Sequence, residues 1–300
     1  MASGISVFLK LFLRFQRLMQ RNADIHAVRR SSAHAERFYK LPKGVRRETA
    51  AFGRETREWL IPETVATPQV LFYIHGGGFV FPLYQPGRCT VAQLARTAGA
   101  RVFIAEYRLA PEHPFPAAVE DCVRDYRMLI DQERIPPEEI VFAGESAGGN
   151  LVVTTLLALR EAGEKRLPSG AVSICPVMTF EGEGTFRTAD DLMLDTGFVM
   201  RMLDAYRGNA DPHHPLLSPV YADLTGLPPI HVQAGECEIL RSGVEMFVAQ
   251  AERAGAPVSS RIWPGMWHFW HLYAPHLPEA REAIEEIASF MKSLQQRSPA

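Results

Sequence analysis

Ser146 stands in Gly144-Glu145-Ser146-Ala147-Gly148-Gly149-Asn150, with one glycine two residues before it and another two residues after. A serine hydroxyl becomes a useful nucleophile when the backbone holds it at the apex of a tight turn between a strand and a helix. Flanking glycines remove side chains that would collide at such an apex. The helix that follows aims its positive end and free N–H groups at the space where an oxyanion would form. The five-residue pattern also arises in ordinary glycine-rich turns and helix caps, so its flanks decide the reading. Ile140-Val141-Phe142-Ala143 before it is a short apolar run of strand type, and Leu151 to Leu159 after it is an apolar run long enough for a buried helix. Ser146 is therefore the candidate nucleophile, with Gly144 and Gly148 supplying clearance.

A second glycine cluster, His75-Gly76-Gly77-Gly78-Phe79, runs straight out of a strand-like segment, Gln69 to His75. Three successive glycines let the backbone turn its N–H groups into a cavity with no Cβ in the way. With the N–H of Ala147, those of Gly77 and Gly78 make three candidate oxyanion donors, and losing one such donor typically costs on the order of 10²- to 10³-fold in rate. The competing readings are a flexible hinge and a phosphate cradle. The cradle would need the Lys-Ser/Thr ending of a nucleotide-binding loop, which does not follow here.

Positioning these groups takes an alternating framework, and the chain supplies one. Residues 1 to about 45 read as helical and basic, and Leu41-Pro42-Lys43-Gly44 marks a boundary. The first strand is expected at Thr56 to Ile61, followed by the strand ending at His75, a helix from Gly87 to Ala98, a strand from Arg101 to Glu106 and a helix from Ala117 to Gln132. Past Ser146, strands are expected at Ala171 to Cys175, Pro229 to Ala234 and Val258 to Ile262, with helices from Ser242 to Ala254 and Glu279 to Leu294. Such alternation predicts a mostly parallel sheet with helices on both faces. Residues 178 to 222 interrupt it with one helix, Gly197 to Tyr206, and no convincing strand, and read as an insertion over the strand ends.

Composition sets broad limits. With 47% apolar and 22% charged residues and a formal net charge of −2, nothing suggests disorder, a nucleic-acid partner or a strongly charged substrate. The cysteines Cys89, Cys122, Cys175 and Cys237 follow neither CxxC nor zinc spacing, so free thiols in a reducing compartment are expected. Near the start, Ile5, Phe8, Leu11, Phe12, Phe15, Leu18 and Met19 form an apolar stripe interrupted by Lys10, Arg14, Arg17 and Arg21. Those charges argue against a signal peptide and a spanning helix. The stripe is expected to pack on the protein's own body rather than on a membrane, and the expected location is cytoplasmic.

HGGGF at residues 75–79, YRLAPEHPFPAA at 107–118 and GESAGGN at 144–150, in this order, resemble the hormone-sensitive-lipase-like family of α/β-hydrolase esterases. The similarity extends over most of residues 50 to 295. It implies an eight-stranded α/β-hydrolase sheet with a helical cap, and a triad in the chain order Ser, acid, His. Among ten histidines, His268 in Pro264-Gly265-Met266-Trp267-His268-Phe269 is similar to the family's Gly-x-x-His-x-Phe site. The family often has Asp before the nucleophile, where Glu145 stands, a change the elbow tolerates. It usually has an Asp-x-Leu stretch before the histidine, where this chain reads Gly235-Glu236-Cys237-Glu238-Ile239-Leu240. Cysteine cannot replace a carboxylate. Glu238 is preferred as the acid over Glu236, since glutamate can orient an imidazole and stabilise the imidazolium without taking its proton.

The implied division is cap helices at 1–45, core at 46–177, a cap insertion at 178–222 and core again at 223–300. The implied activity is hydrolysis of short-chain acyl esters through an acyl-enzyme, with Ser146, His268 and Glu238 as the triad. No metal or organic cofactor is called for, and the expected partner is a small ester; a homo-oligomer is compatible with this reading. Amide or carbamate hydrolysis by the same triad, and ligand binding without catalysis, stay open as alternatives.

Overall fold

Runs of β-branched and aromatic residues form the middle of a single eight-stranded sheet in the computed structural model, which describes residues 7–21, 23–35, 40–52, 55–182 and 191–296. The strands are β1 (Val45–Phe52), β2 (Glu55–Pro62), β3 (Val70–Ile74), β4 (Arg101–Ala105), β5 (Ile140–Glu145), β6 (Gly170–Ile174), β7 (Ile230–Gly235) and β8 (Val258–Trp263). Their order is β1-β2-β4-β3-β5-β6-β7-β8. β2 pairs antiparallel with β1 and β4, and every other neighbouring pair is parallel.

Parallel strands need covering on both faces, and the side-chain alternation divides the core accordingly. Val70, Phe72, Ile74 and Phe142 point to one face, where they pack with α4 (Ala117–Asp131), α5 (Ala147–Glu161) and α7 (Arg241–Arg253). Leu71, Tyr73, Val141 and Ala143 point to the other, against α3 (Gln85–Ala98) and α8 (Pro278–Gln295). The helix of the insertion, α6 (Thr196–Arg207), joins the first of these clusters through Phe198, Met202, Leu203 and Tyr206.

Two expectations are corrected. Thr56 to Ile61 lies in the second strand, because Val45–Phe52 precedes it and pairs with it along its full length. Its sequence, V-R-R-E-T-A-A-F, carries charges because it is the sheet's edge, where charged side chains blunt unwanted pairing and hide the apolar alternation. The second correction concerns α1 (Val7–Gln20), which precedes α2 (Ile25–Ala35). Of the stripe, Leu11, Phe12, Phe15, Leu18 and Met19 face solvent, while the opposite side holds the helix in place through buried Leu13. Arg17 donates to the carbonyl of Asp191 (2.7 Å) and Gln20 to that of Met193 (3.0 Å). These polar tethers, rather than the apolar stripe, set which way the helix faces. Ile5 and the side chain of Phe8 lie outside the described residues.

Candidate active site

β5 ends at Glu145 and α5 begins at Ala147, so Ser146 is the single residue turning between them, with φ 56° and ψ −118°. A non-glycine residue in so sparsely populated a region costs of order 1–3 kcal/mol and persists only where its surroundings over-determine it. Here they do. The Ser146 N–H donates to the carbonyl of Ile174 (2.8 Å), and its own carbonyl accepts from Asn150 (3.2 Å) and Val177 (3.3 Å). The two glycines are needed for the neighbouring strand as much as for the turn. A Cβ on Gly144 would lie 2.5 Å from the carbonyl oxygen of Ile74, and one on Gly148 would run into the backbone of Ile74 and His75. Ser146 remains partly exposed while the residues on either side are buried.

The glycine loop after β3 is clamped from three directions. His75 stacks on Tyr107 with ring centroids 4.3 Å apart, and the Tyr107 hydroxyl donates to the His75 carbonyl (2.8 Å). The His75 Nδ1 lies 2.8 Å from the Gly76 carbonyl, an acceptor, which places the proton on that nitrogen. Burial pushes the His75 pKa down to about 4, so the ring is neutral. Gly77 (φ 105°) turns its carbonyl toward the N–H groups of Val80 (3.1 Å) and Phe81 (2.9 Å). Among the described residues no protein acceptor takes the N–H of Gly77, Gly78 or Ala147. From α6, Tyr206 stacks on Phe79 (3.9 Å), and Met202 sits where a side chain on Gly78 would be, its sulfur 2.5 Å from an added Cβ. Phe79, Trp267 and Phe269 are all buried in the core.

On the far side of the sheet centre, His268 follows β8 and Glu238 follows β7. The His268 Nδ1 and Glu238 Oε2 are 3.3 Å apart, and both side chains are buried. Burial raises the Glu238 pKa, while the imidazole and the Cys175 thiol pull it back. Glu236 is exposed and accepts the Gly265 N–H (2.8 Å), bracing the turn that leads to His268. Ser146 and this pair share β6 as a neighbour: the Ser146 N–H is bound to Ile174, and the next residue, Cys175, has its sulfur within 4.8 Å of ligand atoms of both Glu238 and His268. A divalent ion could be held at that spacing. The three groups already engage one another, however, and a thiol whose pKa burial pushes up is a poor ligand until it loses its proton.

Three further residues belong to the site and were not singled out from the sequence for this role. Glu145 is buried and accepts the Tyr73 hydroxyl (2.5 Å). Burial pushes its pKa up to about 7 against the opposing pull of Tyr73, the Gly76 backbone and His268. Asp191 is fully buried and accepts the N–H groups of Met193 (2.8 Å), Leu194 (3.2 Å) and Ile239 (3.2 Å), which ties the insertion to the residue after Glu238. Cys175 receives the Phe269 N–H at 3.4 Å. Adjacency to Ser146 was the available signal for Glu145. Asp191 had none, being 47 residues from Glu238 along the chain.

Residues 71–272 match the α/β-hydrolase fold family. An acetyl-hydrolase from Streptomyces hygroscopicus is 40% identical over 249 residues, covering 82% of this chain and 82% of that protein. A crystal structure of an esterase from the bacterial hormone-sensitive lipase family is 35% identical with a TM-score of 0.88, covering 98% of this chain and 99% of the other. The esterase EstE5, crystallised and soaked with p-nitrophenyl butyrate, is 32% identical with a TM-score of 0.89 over 97% of this chain and 98% of its own. With this sheet order, elbow and glycine loop, the chain belongs to the α/β-hydrolase fold family, in its hormone-sensitive-lipase-like branch.

Proposed function

We propose that this chain is a serine carboxylesterase that hydrolyses short-chain acyl esters through an acyl-enzyme. The reading is carried by the buried His268–Glu238 pair at 3.3 Å together with a positive-φ serine elbow. In the proposed cycle the Nε2 of His268 takes the Ser146 proton as the hydroxyl oxygen attacks the ester carbonyl. Glu238 holds the imidazole in the required tautomer and balances its charge once protonated. The N–H groups of Gly77, Gly78 and Ala147 receive the oxyanion, and water then repeats the sequence on the acyl-enzyme. No step needs a metal or an organic cofactor.

We assign residues 1–45 and 178–222 to a cap and the rest to the hydrolase core. Phe79–Tyr206 stacking and the Arg29 guanidinium support this division, since Arg29 donates to the carbonyls of Val80 and Ala110 and pairs with Glu112 (2.7 Å). That the Streptomyces relative is an acetyl-hydrolase supports a small acyl group. A graded ester series run beside an aryl amide tests the proposal. Turnover is expected to be best for acyl chains of roughly two to eight carbons and much weaker for the amide, since the pocket and not the triad selects the leaving group. Faster turnover of long-chain triglyceride emulsions than of butyrate esters would overturn the chain-length assignment.

A further inference from the structure

The structure leaves the apolar side of α1 uncovered. Leu11 is 59% exposed, Phe12 46%, Phe15 61%, Leu18 55% and Met19 64%, in a chain whose other large apolar side chains are mostly buried. At the helical period these five fall within one sector of about 120°. Leu13 lies on the opposite side and is buried, so the exposed sector is the outward face of a docked helix and not a frayed end. Arg14 and Arg21 border that sector along one flank. Arg14 is exposed, and the Arg21 side chain is 62% exposed beside Asp195 (3.4 Å).

The segment that carries this face is basic in sequence. None of the first 23 residues is acidic, and the first 35 carry six Lys or Arg against one acid, in a chain whose net charge is −2. An apolar face bordered by arginines matches a surface that is apolar inside and anionic at its rim. Pairing with a second copy of α1 would instead bring the Arg14 flanks together with no acid within α1 to neutralise them. The helix has 14 residues, and among the described residues no helix is long and apolar enough to cross a membrane, so the fitting geometry is one lying in the interface plane.

We infer that α1 is an interfacial docking helix for an anionic lipid surface. Docking on this face would place α1 between the lipid and the insertion, because Arg17 and Gln20, on the opposite side of the helix, hold α1 to Asp191, Met193 and Asp195, and Asp191 in turn holds Ile239 beside Glu238. The inference stands on the exposed face and its charge and does not depend on the proposed activity.

The test is co-sedimentation of the full chain with phosphatidylcholine vesicles and with vesicles containing about 30% phosphatidylglycerol, at about 50 and 500 mM NaCl. The Phe12→Ser/Phe15→Ser variant is run in parallel, with a thermal melt as its folding control. Binding to the anionic vesicles is expected, weakened by about tenfold or more in the variant, in high salt and in pure phosphatidylcholine. Equal binding to both vesicle types, or unchanged binding in the folded variant, would overturn the inference. So would an absence of vesicle binding, and a dimer that the double substitution dissolves would then make α1 a self-association face.

Discussion

Between β3 and β5, Gly144 and Gly148 lie so close to the backbone of Ile74 and His75 that no side chain fits, and the strained Ser146 backbone is bound to β6. Between β7 and β8, what holds the site is carboxylates: Glu238 on the His268 imidazole, Glu236 on the Gly265 N–H, and Asp191 on the Ile239 N–H. One side is shaped by steric exclusion, which admits only glycine, and the other by hydrogen bonds that several acids can make. The difference predicts where substitution is absolute and where it is graded.

The sharpest break is at the nucleophile. Ser146→Ala should leave a folded protein whose kcat for a short ester is reduced by roughly 10³- to 10⁶-fold, because the triad acts as a unit. Retention of most of the activity would remove the whole mechanistic proposal. On the carboxylate side, Glu238→Gln should lower kcat by about 10²- to 10⁴-fold with little change in KM, since an amide favours the wrong tautomer and cannot balance the imidazolium. Glu236→Gln keeps an acceptor for Gly265 and should stay within about twofold of the parent, as expected for an exposed group. Reversed results for these two variants would move the acid to residue 236.

Asp191 tests whether hydrogen bonding alone braces that side. Asp191→Ala leaves three N–H groups without their acceptor and should lower both stability, by about 1–3 kcal/mol, and kcat, whereas Asp191→Asn keeps one acceptor oxygen but turns an NH2 donor toward the N–H groups on the other side and should recover only part of each. Full recovery in Asp191→Asn would mean that a single acceptor oxygen is enough to brace that side.

Glu145 brings a pH-dependent term to the otherwise steric side. Its folded pKa of about 7 lies above the usual 4.5, so the folded state holds the proton more tightly than the unfolded one. The resulting stability is fully present below about pH 4.5 and is lost as pH rises through 7, a term of up to about 3 kcal/mol. Glu145→Gln, which cannot ionise, should therefore flatten the Tm profile between about pH 5 and 8 relative to the parent. A parent and variant whose profiles run parallel would exclude that ionisation. The smallest expected effect is none: a chelator should leave the rate unchanged, although Cys175, Glu238 and His268 cluster within 4.8 Å. A fall in rate reversed by added metal would recast that cluster as a metal centre.

The sheet was readable along most of the chain because central parallel strands are buried on both faces and their sequences are nearly continuous apolar runs. β1 was not readable, since an edge strand carries charge for reasons unrelated to its pairing. The elbow and the glycine loop were readable for a steric reason: a position without room for a Cβ leaves glycine as its mark. Carboxylates carry no such mark. Glu236 and Glu238 are the same residue type two positions apart, and only the path of the backbone after β7 buries one against His268 and leaves the other in solvent. The neighbours that complete the pair, Cys175 from the end of β6 and Asp191 from the insertion, come from distant parts of the chain, so no local pattern could announce them. The same holds for α1. Its amphipathic period was plain in the residues, but which side would face outward depended on the positions of Asp191, Met193 and Asp195, and these are set by packing more than 170 residues away.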